Sequence, residues 1–74
     1  MRLDKAKEHK PLRIINIHLS ADKRKRLMHM GMHVGALLEV ERQSMQKKPG
    51  LYLISGNWIM LRYDDAKYVE VEQV

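Results

Sequence analysis

Apolar residues fall into short runs separated by polar or glycine-bearing breaks, and the spacing inside each run predicts its element. Leu12-Arg13-Ile14-Ile15-Asn16-Ile17-His18-Leu19 has the β-branched density of a strand, with Pro11 tolerated at its start. The run is too apolar to fix its inward face. Ser20 then offers a hydroxyl to the free amides of a first helical turn, and Asp22 favours the dipole of that turn. A helix is expected over Ala21–Met30, with Ala21, Arg24, Leu27 and Met28 on one side and Met30 beside Leu27. Gly31 stands where a helix stops in a left-handed residue. Met32-His33-Val34-Gly35 reads as a turn. Leu37–Arg42 follows as a strand, Leu38 and Val40 on one face and Glu39 and Glu41 on the other.

Gln43–Pro49 is a polar loop with Lys47-Lys48 at its tip. Leu51–Ser55 and Trp58–Arg62 then flank Gly56-Asn57, the signal of a tight hairpin. With Gly56 and Asn57 as the turn, Ser55 faces Trp58, Ile54 faces Ile59, Leu53 faces Met60, Tyr52 faces Leu61 and Leu51 faces Arg62. Tyr52, Ile54, Ile59 and Leu61 then share a core face. Leu51, Leu53, Trp58, Met60 and Arg62 share the other, which is too apolar for water. Asp64-Asp65-Ala66-Lys67 reads as one helical turn capped by Asp64. Tyr68–Glu72 closes as a strand, with Val69 and Val71 inward.

The order is strand, helix, three strands, a helical turn and a last strand. No second long helix joins a strand pair, which excludes a doubly wound sheet. The fold class is mainly β: a small, strongly bent sheet or partly closed barrel of about five strands, with one helix after the first. With 74 residues, such a domain buries only about 60% of its unfolded surface. Residues 1–10 form a polar arm whose only anchors after Met1 are Leu3 and Ala6, so weak packing is expected of it. Residues 11–74 form the domain proper.

Charge and chemistry narrow the picture. There is no cysteine, so no disulfide or thiolate site braces the chain. No apolar run approaches the ~18 residues of a membrane span, and Met1–Lys5 lacks the apolar segment of a signal peptide. A soluble cytoplasmic domain without membrane insertion is expected. The formal charge is +5, from 14 Lys+Arg against 9 Asp+Glu. The positive charge gathers before residue 27, which raises nucleic acid or an acidic partner, but the scarcity of aromatics argues against an RNA-stacking surface. No nucleophilic cysteine, phosphate-cradling glycine loop or metal-hydrolase spacing is present, so no enzyme is expected.

Met28-His29-Met30-Gly31-Met32-His33 brings thioether and imidazole groups suited to soft or borderline transition metals, with His29 and His33 the candidate ligands. The plainer reading has the methionines packed and the histidines solvated, since Gly31 ends the helix between them. Lys23-Arg24-Lys25-Arg26 is the wet side of a helix or a contact for phosphates or an acidic protein. The outward hairpin face (Leu51, Leu53, Trp58 and Met60, rimmed by Arg62) is either covered by the arm or helix, or is an interface for a second copy or another protein.

The glycine-centred stretch Arg26–Gly35 resembles the R-x-L-x-x-[LM]-G-[LM]-x-x-G segment of FeoA proteins in loose register, with Arg24 as the matching arginine. Val40-Glu41-Arg42, Gly56–Arg62, Ala66 and Val69-Glu70-Val71 match further family segments in order, so the similarity covers residues 12–72. Gly31, Gly35 and Gly56 are then structural glycines. The resemblance implies an SH3-like small barrel with a helix inserted after the first strand. It implies a cytoplasmic, non-catalytic accessory protein of bacterial ferrous iron transport, whose partner is FeoB, a permease with a GTPase domain. No cofactor is required, a transition metal at His29 and His33 being the one candidate. Partner contact is assigned to Lys23, Arg24 and Leu27 on the helix and to Leu51, Leu53, Trp58, Met60 and Arg62 on the hairpin. The loop Ser44–Gly50 departs from the family's P-L-G-D-P pattern and keeps only a final proline.

Overall fold

Strands whose apolar residues alternate must bury one face, and with little helix to cover it the chain bends a sheet of five short strands around its own core. The computed structural model describes residues 1–74. Strands β1 (Leu12–Ile17), β2 (Leu37–Arg42), β3 (Gly50–Ile54), β4 (Asn57–Leu61) and β5 (Val69–Gln73) form one antiparallel sheet in the order β4-β3-β2-β1-β5. Helix α1 (Ala21–His29) follows β1, and the short α2 (Tyr63–Ala66) precedes β5. The mainly β architecture with one helix after the first strand is therefore the one expected. The core takes Leu12, Ile14 and Ile17 from β1, Leu38 and Val40 from β2, Tyr52 and Ile54 from β3, Ile59 and Leu61 from β4, and Val69 and Val71 from β5.

The inward face of β1, open in the sequence, is settled by a bulge. Ile14 pairs with Val71 but Asn16 with Glu70, so the strand gains a residue and Ile17 returns to the core. The Asn16 side chain accepts from the Ile17 amide at 2.8 Å. Helix α1 begins as expected, the Ser20 hydroxyl accepting from the Lys23 amide at 3.3 Å. It ends one residue sooner, with Met30 as its C-cap. The Met32 amide bonds back to the Leu27 carbonyl at 2.9 Å and the Gly31 amide to the Met28 carbonyl at 3.0 Å. This is the double closure of a Schellman motif, with Gly31 at φ 90° and with Leu27 and Met32 both buried.

Two local expectations are corrected. The hairpin turns on Ser55-Gly56, not Gly56-Asn57: Ile54 pairs with Asn57, Leu53 with Trp58, Tyr52 with Ile59 and Leu51 with Met60. Ser55 and Gly56 have φ 51° and 81°, the two positive angles of a type I′ turn, whose twist matches the strands. Each residue thus meets a partner two positions from the expected one. An even slip preserves the faces, so both side-chain sets stand. Asp64 is not a cap, because α2 starts at Tyr63 with Arg62 as its N-cap and no side-chain cap bond.

The arm does not pack weakly. Leu3 and Ala6 are buried at 0% and 4% exposure. Met1 and Arg2 lie along β5, where the Val71 amide donates to the Met1 carbonyl at 2.8 Å and Arg2 pairs with Glu70 through the main chain, antiparallel. The chain then crosses to β2, the His9 amide donating to the Val40 carbonyl at 2.8 Å. The Gln43 side-chain amide donates to the carbonyls of Leu3 and Ala6 at 2.7 and 2.5 Å. The Arg2 guanidinium clasps Asp4 at 2.7 Å and holds its carboxyl below the usual range, burial opposing.

Leu3→Ala is therefore expected to cost about 2–5 kcal/mol, as for a core leucine, rather than the roughly 0.5 kcal/mol limit of a surface change. Denaturant unfolding of the two proteins measures it. A second expectation concerns Tyr52, whose hydroxyl is buried without a hydrogen-bond partner, as is that of Ser44. Burial pushes the phenol above its usual 10.0, outweighing nearby Ser44. The folded state then holds this proton where the unfolded chain has released it, so stability falls as pH rises through about 10 and beyond. Tyr52→Phe is expected to be neutral or stabilising at pH ~7 and to flatten that alkaline loss, read from melting temperature against pH.

Candidate protein interface

Alternation sends Trp58 and Met60 away from the core, and no other part of the chain covers them: they are 58% and 59% exposed. Their cross-strand neighbours Leu53 and Leu51 are half-buried beneath them. On the far side of β3 these leucines face Glu39 and Arg42 of β2, which bound the apolar patch. The arm, a candidate cover, runs instead to the other end of the sheet.

Helix α1 lies beside β4. Its last turn adds Met28 and Met30, 53% and 44% exposed. The sequence reading did not place these two at the interface. Their signal was an apolar stripe wider than one helix side could bury, since only Leu27 of α1 is buried. Two hollows separate α1 from β4 and meet at Met30 and Met60. Leu27, assigned to partner contact, is 6% exposed and forms part of the core under this groove.

The basic residues are held in different ways. The Lys23 ammonium bonds Asp65 at 3.1 Å and the Arg62 guanidinium reaches the same carboxylate at 3.5 Å. Asp65, which the sequence places only in a helical turn, thus ties α1 to the end of β4. Adjacent residues on a helical turn diverge, and Asp64 instead meets Lys67 at 3.7 Å. The Arg24 guanidinium donates to the Leu19 carbonyl at 2.8 Å. Arg24, Lys25 and Arg26 have no acidic partner and leave α1 strongly positive.

The two histidines are not brought to one hollow. His29 lines the groove beside Trp58, whereas His33 lines another hollow with Met28 and Asn16 and sets Nδ1 3.0 Å from the Val34 carbonyl. No three His, Cys, Asp or Glu side chains converge as a metal site. Gly31, Gly35 and Gly56 all have positive φ. The exposed hairpin face hangs on the turn at Ser55, a non-glycine residue in the left-handed region. Ser55→Asn, which tolerates that region better, is expected to raise stability by about 0.5 kcal/mol without moving the patch. Thermal unfolding and the indole fluorescence of Trp58 check both parts.

Comparison with known proteins supplies the family context. The FeoA domain model matches residues 1–73. The solution structure of an iron(II) transport protein A from Clostridium thermocellum is similar with a TM-score of 0.88 at 28% identity, over 100% of this chain and 46% of that one. This chain therefore spans less than half of that relative. A FeoA protein from Chlorobium tepidum gives 0.89 at 24% identity, over 100% of this chain and 70% of that one. A zinc-complexed FeoA from Stenotrophomonas maltophilia, described as an SH3 domain protein, gives 0.78 at 22%, over 97% and 89%. The latter two bear on the fold, which is SH3-like. Among curated proteins none matches.

Proposed function

Because the chain belongs to the FeoA family, we propose that it is a non-catalytic cytoplasmic accessory protein of bacterial ferrous iron uptake. It acts by protein contact with FeoB, the permease that carries a GTPase domain. One observation carries this reading: an exposed tryptophan and methionine on β4 stand beside a basic helix, an apolar centre with a charged rim. Such a surface suits a protein partner, since Trp and Arg dominate binding hot spots. Iron is the cargo of the system, and no resident cofactor is invoked.

Arg24, Lys25 and Arg26, which meet no carboxylate, favour a second reading, contact with nucleic-acid phosphates. One experiment separates the two. Purified protein is titrated against full-length FeoB in detergent, against its soluble GTPase domain and against duplex DNA and RNA, with and without ferrous iron. Binding to FeoB that survives nuclease is expected. Trp58→Ala with Met60→Ser is expected to weaken it by about tenfold or more with the fold intact by circular dichroism. Binding only to nucleic acid, falling steeply with salt, would replace the first reading by the second. An iron dependence lost in His29→Ala or His33→Ala would make the protein a metal-responsive adaptor.

A further inference from the structure

A sheet of five strands has two edges, and this chain treats them differently. The β5 edge is covered by Met1 and Arg2. The β4 edge has no strand beside it. In a hairpin closed by a two-residue turn, Ile54–Asn57, Tyr52–Ile59 and Gly50–Leu61 are the pairs that exchange hydrogen bonds. The amides and carbonyls of Trp58 and Met60 therefore point off the free edge, and no other group of the chain bonds to them. Nothing on β4 protects this edge in the usual way: it has no proline, lysine or bulge.

The edge opens onto the groove beside α1. Its two hollows, about 400 and 580 Å³, meet at Met30 and Met60 and run the length of β4. Apolar contact is offered by Met28, Met30, Trp58 and Met60, and methionine adapts to varied partners. The end near Leu61 is basic. Lys23, Arg26 and Arg62 line it with one carboxylate, Asp65, already engaged by Lys23 and Arg62.

We propose that this groove receives an extended segment of another protein, apolar with acidic residues at one end, which adds as a sixth strand to the free edge of β4. Backbone bonds to Trp58 and Met60 hold it, the methionines and Trp58 pack its side chains, and Arg26 and Arg62 receive its carboxylates. The slot is about five residues long, the length of β4. Charge speaks against a second copy of this chain as occupant, because it would bring two basic helices together. The inference deepens the reading of the protein as one that works by protein contact.

The test is a selection from displayed random peptides, followed by amide hydrogen exchange. In the free protein the Trp58 and Met60 amides are expected to exchange fast and those of Ile59 and Leu61 slowly. Enriched peptides are expected to combine acidic and apolar residues and to slow exchange at Trp58 and Met60. Met60→Pro removes an edge donor that no β3 bond uses, and proline is tolerated on an edge strand. It is expected to lower peptide affinity about tenfold or more, as is Arg26→Glu. Met60→Ala keeps the donor and is expected to lose less; it also serves if the proline variant does not fold.

Absence of enrichment, a basic consensus, or bound peptides that leave those two amides fast would overturn the proposal. Protection that appears with protein concentration alone would assign the edge to a second copy and overturn it equally. FeoB binding unchanged in Met60→Pro and Arg26→Glu would overturn the strand-addition mode while leaving the accessory role standing. Peptide binding at β4 with no FeoB binding would do the reverse.

Discussion

The core is organised by the fit between Tyr52 and Gly50. Tyr52 is the largest fully buried side chain in a protein that has no phenylalanine. Its ring lies where a Cβ on Gly50 would strike the phenol oxygen and the Ser44 amide. The strand must therefore begin on glycine for the tyrosine to fold back across it. The ring shares one core cluster with the inward side chains of the other strands. The tyrosine hydroxyl is buried as a result, close to Ser44 but without a well-formed hydrogen bond. The outward leucines, tryptophan and methionine are what the same two strands have left once their inward positions are spent on packing.

Much of this was legible from alternation alone. Period-two patterning identified the inward residues of β2, β3, β4 and β5, and Ser20 and Gly31 marked the ends of the helix. The hairpin shows why faces are easier to read than partners. Gly56-Asn57 resembles a turn pair, but a type I′ turn needs two positive φ angles, and placing Ser55 and Gly56 there gives the strands their favoured twist. Every partner moved and no face did. The β1 bulge was invisible because it falls where both neighbours are apolar or amide-bearing, so neither face stood out.

The arm departs from what its composition suggests for a different reason. Its residues are polar and supply two anchors, and composition alone makes that look loose. What fixes it is a distant side chain, Gln43, whose amide satisfies two of its carbonyls, together with main-chain bonds to β5 and β2. Long-range partnerships of main chain leave no local signature. The candidate interface was read in part. Trp58 and Met60 follow from strand parity, but the burial of Leu27 and the arrival of Asp65 between Lys23 and Arg62 depend on how the helix sits against the sheet, which no local pattern specifies.

The route of the arm also bears on how the protein comes to be made. Its first strand pairs with its last, and its first residue bonds to Val71. A ribosome must release Val69–Gln73 before either contact exists. Until then Leu3, Leu12 and Ile14 have no β5 to lie against, and half-finished chains expose them. Pairing the first strand with the last closes a long loop, and contacts so far apart in sequence slow folding. A change that loosens β5 would be felt at Leu3 and in β1, far away in the sequence.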